Sequence, residues 1–169
     1  MKIDLTQSAA FKLAYKRPRA VPAFSGRLQR SKSGWLLLSV PNAILRGAFF
    51  ALDVPGAELP YHSDGTLNAH ISVMRPEEIA QIGDLSKVTE VGKRFNYQLG
   101  ELKEVEPAGW KEMERAWFLS VDSPDLENLR KSYGLTPLPT KDGRTFKFHI
   151  TVAVRRRRVL QNSKVRKVV

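Results

Sequence analysis

Short apolar runs punctuate this chain, and they fall into two matching sets. "GWLLLSV" (34–40) has the length and composition of a buried strand. In "PNAILRGAFFALDV" the residues Ile44, Leu45, Ala48, Phe49 and Leu52 recur at helical spacing, with Pro41 near the start. A turn-rich loop, "PGAELPYHSDGTLN", then leads into a strand, "AHISVM" (69–74). The same order returns later. "RAWFLSV" (115–121) reads as a strand, and "DSPDLENLRKSYG" as a helix capped by Ser123 or Asp122, with Pro124 at its first position and Gly134 as its stop. The loop "LTPLPTKDGRT" precedes a final strand, "FKFHITVAV" (146–154).

Ser39 stands 31 residues before His70, and Ser120 stands 29 before His149, so the chain holds two copies of one strand–helix–loop–strand unit. Two copies are too few for a solenoid, and they predict two lobes related by a pseudo-twofold axis. Between them, "RPEEIAQIGDLSKVTEVG" opens as a helix with Pro76 in its first turn. "KRFNYQLGELKEVEP" (93–107) alternates well enough for one strand, or for a hairpin bending near Gly100. The fold class is therefore α+β, with mainly antiparallel sheets and helices on their outer faces. A single domain is expected over 34–154, between a partly flexible basic segment at 1–33 and a basic tail at 155–169.

Charge sharpens this division. The net charge is +11, yet residues 1–33 carry eight Lys/Arg against one Asp, and residues 155–169 carry seven against none. The middle is slightly acidic. Basic ends attract polyanions such as RNA by counterion release, or they simply stay solvated. There is no cysteine, which excludes disulfides and Cys-ligated zinc and is compatible with a reducing compartment. The N-terminal stretch lacks an apolar secretory core and no run could span a bilayer, so a soluble cytoplasmic protein without membrane contact is expected.

Two of the three histidines lie in one repeated tetrad, "HISV" (70–73) and "HITV" (149–152). Strand side chains alternate faces, so His70 shares a face with Ser72, and His149 with Thr151, while Ile71, Val73, Ile150 and Val152 turn to the apolar layer. If the repeat axis brings the strands together, two imidazoles flanked by two hydroxyls line one groove. That set suits phosphodiester cleavage without a metal or cofactor. One ring would take the nucleophile's proton and the other protonate the leaving oxygen, while the hydroxyls hold the non-bridging oxygens. The two units are near-equivalent in sequence, so either histidine fits either role.

Around the tetrads, period two places Lys147 beside His149 and Asn68 beside His70. Lys147 suits a second phosphate or a solvated strand end. Arg75 and Arg155 follow the two strands and either rim the groove or serve the surface. Tyr61 and His62 lie in the loop before His70, as mobile loop residues or a lid over the site. Trp110, in "PAGW", is placed to stack on a base. Trp35 and Trp117 read as core, and Tyr133 as packing. No G-x-x-x-x-G-K-[S/T] is present, so a P-loop NTPase is out. With three histidines, no cysteine and no carboxylate motif, no metal site is expected.

Paired H-x-[S/T]-hydrophobic motifs, each ending a repeated unit, resemble the 2H phosphoesterases. These include RNA ligase-like 2′,5′ enzymes, 2′,3′-cyclic phosphodiesterases and oligoadenylate-degrading enzymes. The resemblance covers roughly 34–154. It implies a bilobal fold with antiparallel sheets lining a central groove and metal-independent hydrolysis. Carried onto this chain, His70 and His149 are the catalytic pair, and Ser72 and Thr151 bind phosphate. Ser72 keeps the hydroxyl and lacks the β-branch that stiffens χ1. The compact design also resembles the phage-encoded branch that destroys cyclic oligonucleotide signals of bacterial CBASS immunity. The expected partner is a nucleotide or oligonucleotide: a cyclic oligonucleotide, or RNA with a 2′,3′-cyclic phosphate or 2′,5′ linkage. The reading of another class is a protein that binds nucleotide or RNA without cleaving it.

Overall fold

A computed structural model describes residues 23–62, 64–106, 112–141 and 143–157. The strands β1 (Phe24–Arg30), β2 (Leu36–Ser39), β3 (His70–Met74), β4 (Arg94–Val105), β5 (Met113–Asp122) and β8 (Phe148–Arg156) form one sheet in the order β3-β2-β1-β4-β5-β8. Every pairing in it is antiparallel. A separate ribbon joins β6 (Thr140–Lys141) to β7 (Arg144–Thr145). Among the described residues, the helices are α1 (Asn42–Leu52), α2 (Pro76–Ile82) and α3 (Pro124–Ser132), with a single 3-10 turn at Leu85–Lys87. None is long and apolar enough to cross a membrane.

The repeat is visible in the sheet order. One half is β1-β2-α1-β3 and the other β4-β5-α3-β8. Exchanging the halves leaves the strand order unchanged. They meet at a seam where β1 pairs with β4, from Phe24↔Tyr97 to Arg27↔Arg94. At that seam the rings of Phe24 and Tyr97 stack at 5.8 Å. The Tyr97 side chain is buried, and desolvation pushes its phenol up to about 12. The outermost strands, β3 and β8, come close to each other as well, so the sheet is strongly curled.

Leu28, Leu38, Ile71, Leu119 and Ile150 are fully buried on one face. They share a single apolar cluster with Leu45, Ala48 and Leu52 of α1 and Leu126 and Leu129 of α3. The helical residues are the ones the 3.6-residue period selects. Ser123 caps α3 as expected, its hydroxyl accepting from Leu126 N–H at 3.2 Å and donating to the Asn96 carbonyl at 2.6 Å. Pro124 takes the first turn, and Gly134 follows the helix at φ 74°.

The sheet also takes in a strand ahead of residue 34, for at its centre lies β1. Its sequence, "FSGRLQR", offers two apolar residues, a glycine and two arginines, too thin an alternation to mark a strand. Arg27 and Arg30 thus belong to the fold, as do Arg155 and Arg156 of β8, and the basic ends are correspondingly shorter. Of the two alternatives for 93–107 the single strand holds: 94–105 is one twelve-residue strand, with a register shift between Leu99 and Leu102 around Gly100.

Gly26 marks the tightest approach in the sheet. A Cβ there would lie 2.1 Å from the Ser39 carbonyl oxygen and 2.8 Å from Leu38 Cγ. A backbone atom cannot swing aside, so Gly26→Ala must pry β1 from β2. It is expected to cost about 1–3 kcal/mol, at the upper end of overpacking effects, in a urea denaturation series.

Candidate active site

His70 sits opposite Ser39, and His149 opposite Ser120. Directly opposed residues share a face, so each imidazole has a serine beside it on the next strand. Each serine is tied to the strand beyond. Ser39 Oγ donates to the Arg27 carbonyl and accepts from Arg27 N–H, both at 3.1 Å. Ser120 Oγ donates to the Glu101 carbonyl at 3.2 Å. In the second half a glycine makes room for the hydroxyl, since a Cβ on Gly100 would meet Ser120 Oγ at 2.4 Å. These serines served as spacing markers in the sequence. Their place beside the histidines becomes visible with the register.

Both rings are held alike. His70 Nδ1 lies 2.8 Å from the Asn68 carbonyl, and His149 Nδ1 lies 3.0 Å from the Lys147 carbonyl. A carbonyl can only accept, so Nδ1 carries the proton in both rings and Nε2 is left to take or give one. Asn68 and Lys147 thus position the two rings through their backbone carbonyls. The Lys147 ammonium lies 3.5 Å from Asp122, in an exposed ion pair. Ser72 and Thr151 are half-buried opposite Leu37 and Phe118, and the alternate residues Ile71, Val73, Ile150 and Val152 are fully buried.

The surroundings break the symmetry. Phe118 leans against His149, with ring centroids 5.0 Å apart. Burial lowers the pKa of His149 below its usual value; the Lys147 carbonyl opposes this, and the positive charges of His70 and Arg75 lower it further. His70 and Arg75 are thus electrostatic neighbours of His149. Arg75 lies over the indole of Trp35 at 5.6 Å, and Arg155 over Trp117 at 5.4 Å. Arg155 is also 3.6 Å from Glu114. Arg75 has no carboxylate within ion-pair distance among the described residues. Trp35 is half-buried rather than wholly core, whereas Trp117 is 1% exposed.

On the other flank, His62 stands beside His70 with ring centroids 6.4 Å apart, and Tyr61 next to it is exposed. Trp110 lies outside the described residues. Tyr133 closes no part of the site; its hydroxyl donates to Glu90 at 2.5 Å, with the Lys87 carbonyl 3.2 Å away. Among the described residues, no group of three or more His, Asp or Glu is arranged to hold a metal ion.

Two histidines with matched tautomers, each beside a hydroxyl residue on edge strands that come close together, leave one ring nitrogen apiece to take or give a proton. A family model described as "2H-SAK: Swiss Army Knife, 2H phosphoesterase domain" matches residues 34–160, and the chain belongs to that family. It is an enzyme of the phosphodiesterase type, a hydrolase acting on a nucleotide or RNA substrate in general. No curated protein and no solved structure matches the chain significantly.

Proposed function

We propose that the protein is a metal-independent phosphodiesterase in which His149 is the general base, His70 the general acid, and Ser72 and Thr151 hold the phosphate. The carrying observation is the shared Nδ1–carbonyl lock, which leaves Nε2 of each ring to take or give a proton. The roles follow from the broken symmetry. A base must be neutral at working pH, and His149, half-covered by Phe118 and near the Arg75 cation, is the ring disposed to stay neutral. Arg75, without a carboxylate partner among the described residues, is free to take a non-bridging oxygen. Tyr61 and the Lys147 ammonium lie at the periphery as substrate contacts. The preferred substrate is a cyclic oligonucleotide, cleaved in the cytoplasm, of the host if the chain is phage-encoded. The second reading is RNA carrying a 2′,3′-cyclic phosphate or a 2′,5′ linkage, favoured by the basic ends of the chain, which would hold a longer polyanion.

A mass-spectrometric product screen in EDTA tests this, with cyclic di- and trinucleotides, 2′,5′-oligoadenylate and RNA ending in 2′,3′-cyclic phosphate. Turnover by wild type and not by His149→Ala is expected; a requirement for added Mg²⁺ or Mn²⁺ sinks the mechanism. Tight retention of one compound without product would establish the non-cleaving binder instead. The pH dependence is a separate check. Because His149 is shifted below the usual histidine value of 6.5, kcat/KM should fall on the acid side with a midpoint under that value. The profile should be bell-shaped, its two apparent values belonging to the coupled pair. An acid limb centred above pH 7 would contradict the assignment of the base.

A further inference from the structure

The chain's third histidine is left unused by the two-histidine mechanism. His62 is exposed on the loop between α1 and β3, its ring within 25° of parallel to that of His70 at 6.4 Å. Among the described residues its ring nitrogens have no hydrogen-bond partner. The loop that carries it is closed on itself. His62 N–H donates to the Thr66 carbonyl, and Gly65 N–H donates to the His62 carbonyl, both at 2.9 Å. The Asp64 carboxylate accepts from Thr66 N–H at 2.9 Å and from its hydroxyl at 2.6 Å, and Gly65 supplies φ 77°.

The loop is also tied to α1. Asn42 donates from Nδ2 to the Leu67 carbonyl at 2.7 Å and accepts at Oδ1 from Ala69 N–H at 2.8 Å, directly before His70. The backbone that carries this flat ring is therefore held in place beside the acid histidine, with little loop ordering left for a ligand to impose. Tyr61, the preceding residue, is 45% exposed, a second ring that a ligand can reach on the same loop. Planar rings on a braced loop beside a phosphate site are what a nucleobase stacks against, and such stacking tolerates any base because each has a π-face.

We propose that His62 is a base-stacking residue, taking the nucleobase that lies on the His70 side of the scissile phosphate. This rests on the phosphodiesterase reading and narrows the substrate to one with a base directly on the leaving side. The measurement is calorimetric binding of adenosine 2′,3′-cyclic monophosphate and of its base-less ribose counterpart to wild type, His62→Ala and His62→Phe. Wild type is expected to favour the adenosine compound. His62→Ala should weaken that compound roughly 5- to 150-fold and leave the base-less one unchanged, while His62→Phe retains the preference. Equal losses on both compounds, rescue by His62→Gln in place of His62→Phe, or no binding of the adenosine compound by wild type overturns the proposal. Those results leave the phosphodiesterase reading standing, since the product screen judges it. A screen without product, with His62-dependent binding intact, would sink that reading and keep His62 as the base-stacking residue of a non-cleaving binder, with no leaving side to assign.

Discussion

Alanine at His149 or at His70 is expected to lower turnover by about 10²–10⁴-fold, and the two losses should part company on a substrate with a sulfur leaving group. A thiolate departs without a proton, so a general acid has nothing to contribute to it. His70→Ala should therefore regain near-wild-type rates on the bridging phosphorothiolate, whereas His149→Ala should stay impaired, because the nucleophile still has to be deprotonated. The rings are held by the same bond to the residue two before each, so neither variant removes a strand contact of the other. Rescue of His149→Ala instead would exchange the roles. Full activity of either variant on the ordinary diester would remove that ring from the chemistry.

Arg130→Met is expected to destabilise the fold by about 3–5 kcal/mol, the largest stability effect of any single change considered. Arg130 is 0% exposed, yet all its guanidinium nitrogens are engaged. Nε donates to the Thr136 carbonyl at 2.8 Å, Nη1 to the Val73 carbonyl at 2.6 Å and Glu78 at 3.0 Å, and Nη2 to Glu78 at 2.5 Å and the Leu138 carbonyl at 3.3 Å. Removing it strands a buried carboxylate and orphans three carbonyls. Glu78 also accepts from Arg75 N–H at 2.9 Å, so one cluster fixes the end of β3 on the way from Ser72 to Arg75. Burial alone would raise the Glu78 pKa, but the bonds from Arg130 and Arg75 outweigh it and hold it below the usual 4.5. Its contribution is present above that pH and lost as pH falls through the depressed value. Urea denaturation at pH 7, and in steps from about pH 5 down towards pH 2, would show both effects. A loss under 1 kcal/mol would mean the cavity fills or water replaces the guanidinium. Replacing both partners with apolar residues should recover part of the loss.

How much was legible in the sequence depended on what each residue announces locally. The tetrads, the Ser123 cap, the Pro124 start and the alternation of buried Ile71 and Ile150 with half-buried Ser72 and Thr151 are local patterns, and all appear as expected. β1 could not be found that way, because it is held in place by its neighbours and by a glycine whose value is in what it lacks. Arg130 reads as one more charge on a polar helix until the fold brings Glu78, 52 positions away, against it. The Trp35–Arg75 and Trp117–Arg155 pairs were recoverable in principle, since they recur at nearly the same spacing in both units. Sequence alone does not say that Phe118 leans on His149, or that Glu114 neutralises Arg155 while Arg75 has no such partner among the described residues, and the proposed proton roles draw on both differences.

The duplicated halves also give this molecule its own reference state. Ser39 and Ser120, His70 and His149, and Arg75 and Arg155 occupy matching positions in one chain, under one solvent and at one concentration. The same substitution can be written once on each side of the β1–β4 seam and compared without changing protein, preparation or substrate. What the two results share belongs to the motif. What separates them belongs to the neighbourhood, and the subtraction needs no second protein.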